Sequence, residues 1–180
     1  MRKKSEMHIV SAQPRLHPVR LEIIVQLNQL LADTMTLRDL YKKSHWQIAG
    51  TSLYQLQLLF DKHYHEQAAL IDSIAERIQL LGGISIAMAH DVAETTAIER
   101  PPSGREEVPV QLSRLLDAHR VVVAQSRTLA HRASALGDDG TNDLAVNEFL
   151  RQNELQMGVL SEHLLTVVVV EAYSPSASLA

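Results

Sequence analysis

The 180-residue chain contains no cysteine. A disulfide framework and a thiolate metal site are therefore both excluded, and a reducing compartment fits. Glycine and proline are scarce, at seven and six, which suits a chain of long helices. No apolar run approaches the ~20 residues that a membrane helix needs. The first residues, MRKKSEMHIVSAQ, lack the apolar stretch of a signal peptide. There is no internal repeat and no Gly-rich phosphate loop. The expectation is a soluble cytoplasmic protein with no membrane partner.

What is present is one domain's worth of chain, 46% hydrophobic, long enough for a sizeable core. The net charge of −4 is unevenly spread. Residues 1–20 carry Arg2, Lys3, Lys4, Arg15 and Arg20 against Glu6 alone, so the remainder is more acidic than the total. A basic arm on an acidic body can touch a polyanion through the arm. Residues 1–17 read as that flexible arm, 18–171 as a helical bundle, and 172–180 as a flexible tail.

Pro18 sits where a first helix can start. Apolar residues then recur with helical spacing from Val19 to about Ile48: Ile23, Ile24, Leu27, Leu30, Leu31, Met35, Leu37, Leu40 and Tyr41. Gly50 ends or bends that helix, and Thr51 or Ser52 can cap a second, from Leu53 to Leu81, stopped by Gly82-Gly83. Ile84 to Ala97 can form a short helix, and Pro101-Pro102-Ser103-Gly104 is a loop. A third long helix spans Val108 to Leu136, with Gly137 beyond its end. Thr141 or Asn142 can cap a fourth, from Asp143 to about Val170. The β-branched run TVVVVEA continues a helical period. The architecture expected is all-α: a ferritin-like four-helix bundle, with the short helix in the crossover between the second and third long helices.

One stripe on the second helix is unusual. With about 100° per residue and Gln57 as zero, Asp61, His65, Asp72 and Glu76 fall at roughly 40°, 80°, 60° and 100°. Gln57 and Asp61, and Asp72 and Glu76, are i,i+4 pairs that can each reach one ion. The two pairs stand about 16 Å apart along the axis and cannot share it within one helix. Two copies crossing antiparallel near residues 66–67 would bring each 57–61 segment to the other's 72–76. Ala68, on the same stripe, allows close approach there. The spacing thus suggests a symmetric dimer with two shared sites. Carboxylates plus an imidazole, with His45 as a candidate, suit Fe(II), Mn(II) or Zn(II). A hydrogen-bonded dimer interface without metal is the alternative.

HWQIAG (45–50), LFDKHY (59–64) and IDSIAERIQLLGG (71–83) resemble the Dps family of mini-ferritins, the DNA-binding proteins from starved cells. The resemblance covers the two central helices closely, and helix order fits over about 20–170. It implies a hollow homododecamer that oxidises Fe(II), usually with hydrogen peroxide, and stores ferric mineral. It implies a di-iron ferroxidase centre between subunits, with His45 and Asp61 from one and Asp72 and Glu76 from its two-fold mate. One residue departs: Gln57 stands where the family has a second His. An amide oxygen is a weaker donor, His65 on the same face can compensate, and zinc becomes a competitor. His63, at about 240°, is expected to face the cavity or the surface, while His119, His131 and His163 are expected to be partly exposed or hydrogen-bonded. Asp138, Asp139 and Asp143 correspond to acidic residues that line iron-admitting pores in the family. Arg2, Lys3, Lys4 and Arg15 are the DNA-binding candidates. The competing function is a nucleoid structural protein with a weakened or zinc-filled centre. A ferritin with its di-iron site inside each subunit is disfavoured, because no E-x-x-H occurs.

Overall fold

The computed structural model describes residues 18–49 and 53–173. The basic arm with Arg2, Lys3, Lys4 and Arg15, the expected caps Thr51 and Ser52, and the tail from 174 lie outside the described residues. Helix α1 runs Pro18–Gln47 and α2 runs Leu53–Leu80. A short α3, Ala89–Thr95, follows in the crossover, and then α4, Val108–Ala135. The last long helix is α5, Asp139–Leu144, continued through a π-helical turn, Ala145–Leu150, into α6, Arg151–Tyr173. No strand occurs among the described residues. None of these helices is long and apolar enough to cross a membrane.

The four long helices pack α1 on α2 and α4, and α4 on α6. Their apolar stripes meet in one core built from Ile23, Leu27, Leu30, Leu31, Phe60, Ile74, Ile78, Leu112, Val122, Phe149 and Leu160. The stop of α2 follows from its two glycines. Gly83 N–H donates to Ile78 O and Gly82 N–H to Gln79 O, both at 2.9 Å, while Gly82 takes φ 82°. That left-handed cap suits glycine. A Cβ on Gly83 would lie 2.8 Å from Ile24 Cγ2, so its absence lets α1 pass close by.

Two expectations shift in detail. The crossover helix is seven residues long, where the apolar pattern suggested Ile84 to Ala97. Residues 83–87 are non-helical because α1 claims their backbone: Asn28 Oδ1 accepts from Ile86 N–H at 2.9 Å and its Nδ2 donates to Ile84 O at 3.0 Å. The last long helix starts at Asp139, four residues early, because Asp138 rather than Thr141 or Asn142 is its cap. The Asp138 carboxylate accepts the Thr141 N–H at 3.1 Å and the Thr141 hydroxyl at 2.7 Å.

Asp33 fastens the other end of the crossover. It is fully buried and accepts from Ala97 N–H (2.7 Å), Thr96 Oγ1 (2.9 Å) and Gln29 Nε2 (3.1 Å). Asp33→Ala strands the Ala97 N–H and the Thr96 hydroxyl, while Gln29 keeps its bond to Thr95 O at 2.9 Å. Stability should fall by about 3 kcal/mol, read from urea denaturation at fixed protomer concentration; a loss under about 1 kcal/mol would contradict this.

Candidate metal centre

The end of α1 and the first half of α2 bring four of the six candidate ligands, His45, Gln57, Asp61 and His65, together. His45, in the last turn of α1, places Nδ1 3.1 Å from the backbone oxygen of Gln57. A carbonyl only accepts, so Nδ1 carries the proton and Nε2 keeps its lone pair free for an electrophile. One turn further, Asp61 is half-exposed and draws in two basic groups: Lys42 Nζ at 3.1 Å from Oδ1, and His65 Nε2 at 3.5 Å from Oδ2. The Lys42 hydrogen bond holds the Asp61 carboxyl below its usual range against the desolvation that raises it, with the charges of Lys42, His65 and His45 adding. Lys42 also lies 4.9 Å from the centroid of the Tyr64 ring. The carboxylate is thus an anion with an ammonium already beside it and an imidazole within reach.

Asp72 and Glu76 are exposed on the second half of α2. Glu76 borders a groove with Ser73, Arg77, Leu80, Leu144 and Glu148. Among the described residues no three His, Asp or Glu side chains are close enough to hold one ion. The two halves of the stripe do not meet within a subunit.

The acidic group at the start of the last helix is not uniform. Asp138 pairs with Arg77, whose Nε also donates to Thr141 Oγ1 at 2.9 Å. Burial pushes the Asp138 carboxyl up, but Thr141 and Arg77 together outweigh it and hold the group below its usual value. Asp139 and Asp143 are exposed, and Asp143 accepts from Asn147 Nδ2 at 2.5 Å.

His63 corrects its expectation: it is 2% exposed and faces the bundle core, not the cavity or the surface. Its Nδ1 lies 3.0 Å from the Tyr41 hydroxyl, which lies 2.5 Å from Nε2 of the buried His119. The chain of contacts continues from His119 Nδ1 to Asn153 Oδ1 (2.8 Å), from Gln67 Nε2 to Asn153 Oδ1 (3.1 Å) and to Gln156 Oε1 (2.9 Å), and from Gln156 Nε2 to Glu66 (2.8 Å). All four long helices contribute to this polar core. His131 is exposed and His163 half-buried.

Comparison with known proteins gives the family. Residues 24–167 match the ferritin-like domain family. The solved structure of DpsC from Streptomyces coelicolor superposes with a TM-score of 0.82 at 50% identity, over 91% of this chain and 96% of that one. Dps from Thermosynechococcus elongatus gives 0.77 at 27% identity, over 81% and 92%. A nutrient stress-induced DNA-binding protein from Nostoc is 31% identical over 71% of this chain and 70% of its own length. The chain belongs to the Dps family of ferritin-like proteins. In this Dps chain the bundle core holds no acidic ligand cluster among the described residues. Its imidazoles, His63 and His119, are spent on hydrogen bonds, and Asp72 and Glu76 are exposed on α2.

Proposed function

We propose that the protein oxidises Fe(II), with hydrogen peroxide as preferred oxidant, at centres formed where two copies of α2 cross, and that it stores the ferric product in a hollow dodecamer. The observation that carries this reading is the half-site itself. His45 is tautomer-locked with Nε2 free, beside an Asp61 carboxylate that holds two basic groups. Asp72 and Glu76 are exposed one half-helix away. Antiparallel crossing joins what a single chain keeps apart.

The donor set fits iron. One imidazole nitrogen and carboxylates are ligands suited to Fe(II). His45 Nε2 and Asp61 would hold the ion from one side, and Asp72 and Glu76 of the partner subunit from the other. Gln57 offers a neutral amide oxygen, and His65 an imidazole that must leave Asp61. The ion displaces Lys42 from Asp61, so the ammonium marks the site in the resting chain. Two Fe(II) substrates each give one electron to one peroxide, which takes up two protons and leaves as two waters. No hydroxyl radical is released by that stoichiometry. With one nitrogen donor fewer than the family pattern, the centre also accommodates zinc, which occupies it without turnover.

Fe(II)-dependent peroxide consumption by the assembled protein tests the reading. Asp72→Ala should lower the rate by about tenfold to a hundredfold while the assembly stays intact by light scattering. A wild-type rate no higher than the variant's overturns it.

A second reading, DNA binding through the arm, is favoured by the basic side chains before residue 18 and by the name of the Nostoc relative, a DNA-binding protein. It predicts salt-sensitive DNA retention that disappears when residues 1–17 are removed. Retention unchanged by that truncation excludes the arm.

A further inference from the structure

The polar core has a feature that iron binding does not use. Tyr41 is fully buried, and its hydroxyl sits between two imidazoles, 2.5 Å from His119 Nε2 and 3.0 Å from His63 Nδ1. Donor accounting fixes the direction of every proton. Asn153 Nδ2 donates to Phe149 O at 2.7 Å, so the amide oxygen is the atom facing His119 and Gln67. His119 Nδ1 therefore carries hydrogen and Nε2 carries the lone pair. The Tyr41 hydroxyl donates to that lone pair, and His63 Nδ1–H donates to the Tyr41 oxygen.

The pair rests in its neutral form. Burial, then the charge of Glu66, raises the Tyr41 pKa well above the phenol value, so the hydroxyl keeps its proton. Burial lowers His119 to about 4, although its bond to Asn153 opposes the shift, so the ring is an open acceptor at neutral pH. A phenol stripped of one electron becomes a strong acid. Here the proton's destination is already built, at hydrogen-bond distance, inside the buried core.

The path outward is short. Tyr41 is one turn from His45 on α1, a rise of about 6 Å. The Phe60 ring packs on the Tyr41 ring with centroids 5.9 Å apart, and Phe60 precedes Asp61 in the chain. A purely structural tyrosine at this depth needs one hydrogen bond; this one has a donor and an acceptor, both imidazoles.

We propose that Tyr41 is a redox-active residue: it gives one electron to a hydroxyl-radical-class oxidant arising beside α1 and α2 and passes its phenolic proton to His119 Nε2. The O–H bond of Tyr41 breaks and an N–H bond forms on His119. The oxidant gains the electron and becomes hydroxide, and the oxidising equivalent stays in the core as a neutral phenoxyl radical. Fe(II) later returns the electron while His119 returns the proton. Asn153 Oδ1, accepting from Nδ1–H, steadies the imidazolium in between. Only the source of the oxidant rests on the iron-oxidation reading: a peroxide that meets one Fe(II) instead of two takes a single electron and splits into hydroxide and a hydroxyl radical. The Tyr41–His119 chemistry does not rest on it.

The test separates the two. Because the chain has no cysteine, Lys62→Cys in the full-length, metal-free protein gives one attachment point for a ruthenium polypyridyl photo-oxidant on the exposed side of α2. Flash oxidation followed by freezing should give a tyrosyl signal in electron paramagnetic resonance that narrows when ring-deuterated tyrosine is incorporated. Adding Tyr41→Phe, with its helicity verified by circular dichroism, should cut the signal at least tenfold. His119→Gln, whose amide oxygen can still accept from the Tyr41 hydroxyl but takes up no proton, should slow its appearance at least tenfold and abolish its solvent deuterium isotope effect. No tyrosyl signal, or one undiminished in Tyr41→Phe and so belonging to Tyr54, Tyr64 or Tyr173, overturns the proposal, as does wild-type behaviour of His119→Gln. Fe(II) and peroxide in place of light form the second arm. A Tyr41 radical by light but none with iron supports the relay and counts against the iron source.

Discussion

Asp61→Ala subunits mixed with Glu76→Ala subunits should regain about a quarter of wild-type iron oxidation, as the isologous geometry dictates. Each variant alone should retain no more than about a hundredth. The reasoning is geometric. If the crossing of two α2 helices makes two equivalent centres, each takes Asp61 from one subunit and Glu76 from the other. In a mixed pair both lesions fall on the same centre, and the other centre has Asp61 and Glu76 intact. Random pairing makes about half of the dimers mixed, and half of their centres whole. The measurement is peroxide-dependent Fe(II) oxidation by co-assembled subunits, beside each variant alone. If both ligands came from one chain, no mixture would ever contain a whole centre, and recovery would be nil. Recovery far below a quarter in a mixture shown to be co-assembled therefore defeats the shared-site geometry.

The same stripe shows where sequence reasoning reaches and where it stops. A five-residue polar face on an otherwise ordinary amphipathic helix is visible from spacing alone. So is the impossibility of closing it within one helix. The tautomer of His45 was not legible, because it depends on the backbone oxygen of Gln57 twelve residues away. Lys42 at Asp61 was equally invisible, since an α1 lysine reaches an α2 carboxylate only once the helices have packed.

His63 is the instructive error. The wheel that gathered the stripe puts His63 at roughly 240°, beside Leu56 and Ile74 at roughly 260° and Gln67 at roughly 280°, and all four are buried. The apolar neighbours mark that face as core, whereas the expectation took His63 only as lying off the stripe and so toward the cavity or the surface. His119 carried the same signal, flanked by Leu115, Leu116, Val122 and Val123. A buried imidazole is tolerated when both ring nitrogens are served, and the partners that serve these two come from other helices. Helix limits were read to within a few residues, except where long-range groups, Asn28 on the crossover and Arg77 on Asp138, decide the backbone.

Those buried imidazoles should make the fold acid-sensitive well before its carboxylates titrate. Burial holds His119 at about 4. Burial first, then the charges of His119, Lys62 and His163, hold His63 at about 3. In the unfolded chain both titrate near 6.5. Above that value neither state binds the proton and stability is flat. Between 6.5 and about 4 the unfolded chain protonates while the folded one does not, so stability falls as pH falls. The shift of His119 alone corresponds to about 3 kcal/mol by pH 4. Asp138, held below its usual value by Thr141 and Arg77, contributes in the same direction but only at lower pH. The groups around His119 are Tyr41, His63 and Asn153, with Gln67, Gln156 and Glu66 beyond them, and His63, held at about 3, stays neutral across this range. Urea denaturation of wild type and His119→Gln at one protomer concentration, from pH 7 to pH 4, isolates the effect, because subunit association enters both alike. His119→Gln should be less stable at pH 7, where a shaped hydrogen bond is lost. It should then lose about 3 kcal/mol less than wild type on acidification. Parallel pH profiles for the two proteins would mean that His119 takes up its proton in the folded state, and that the core is not the dry, neutral network described above.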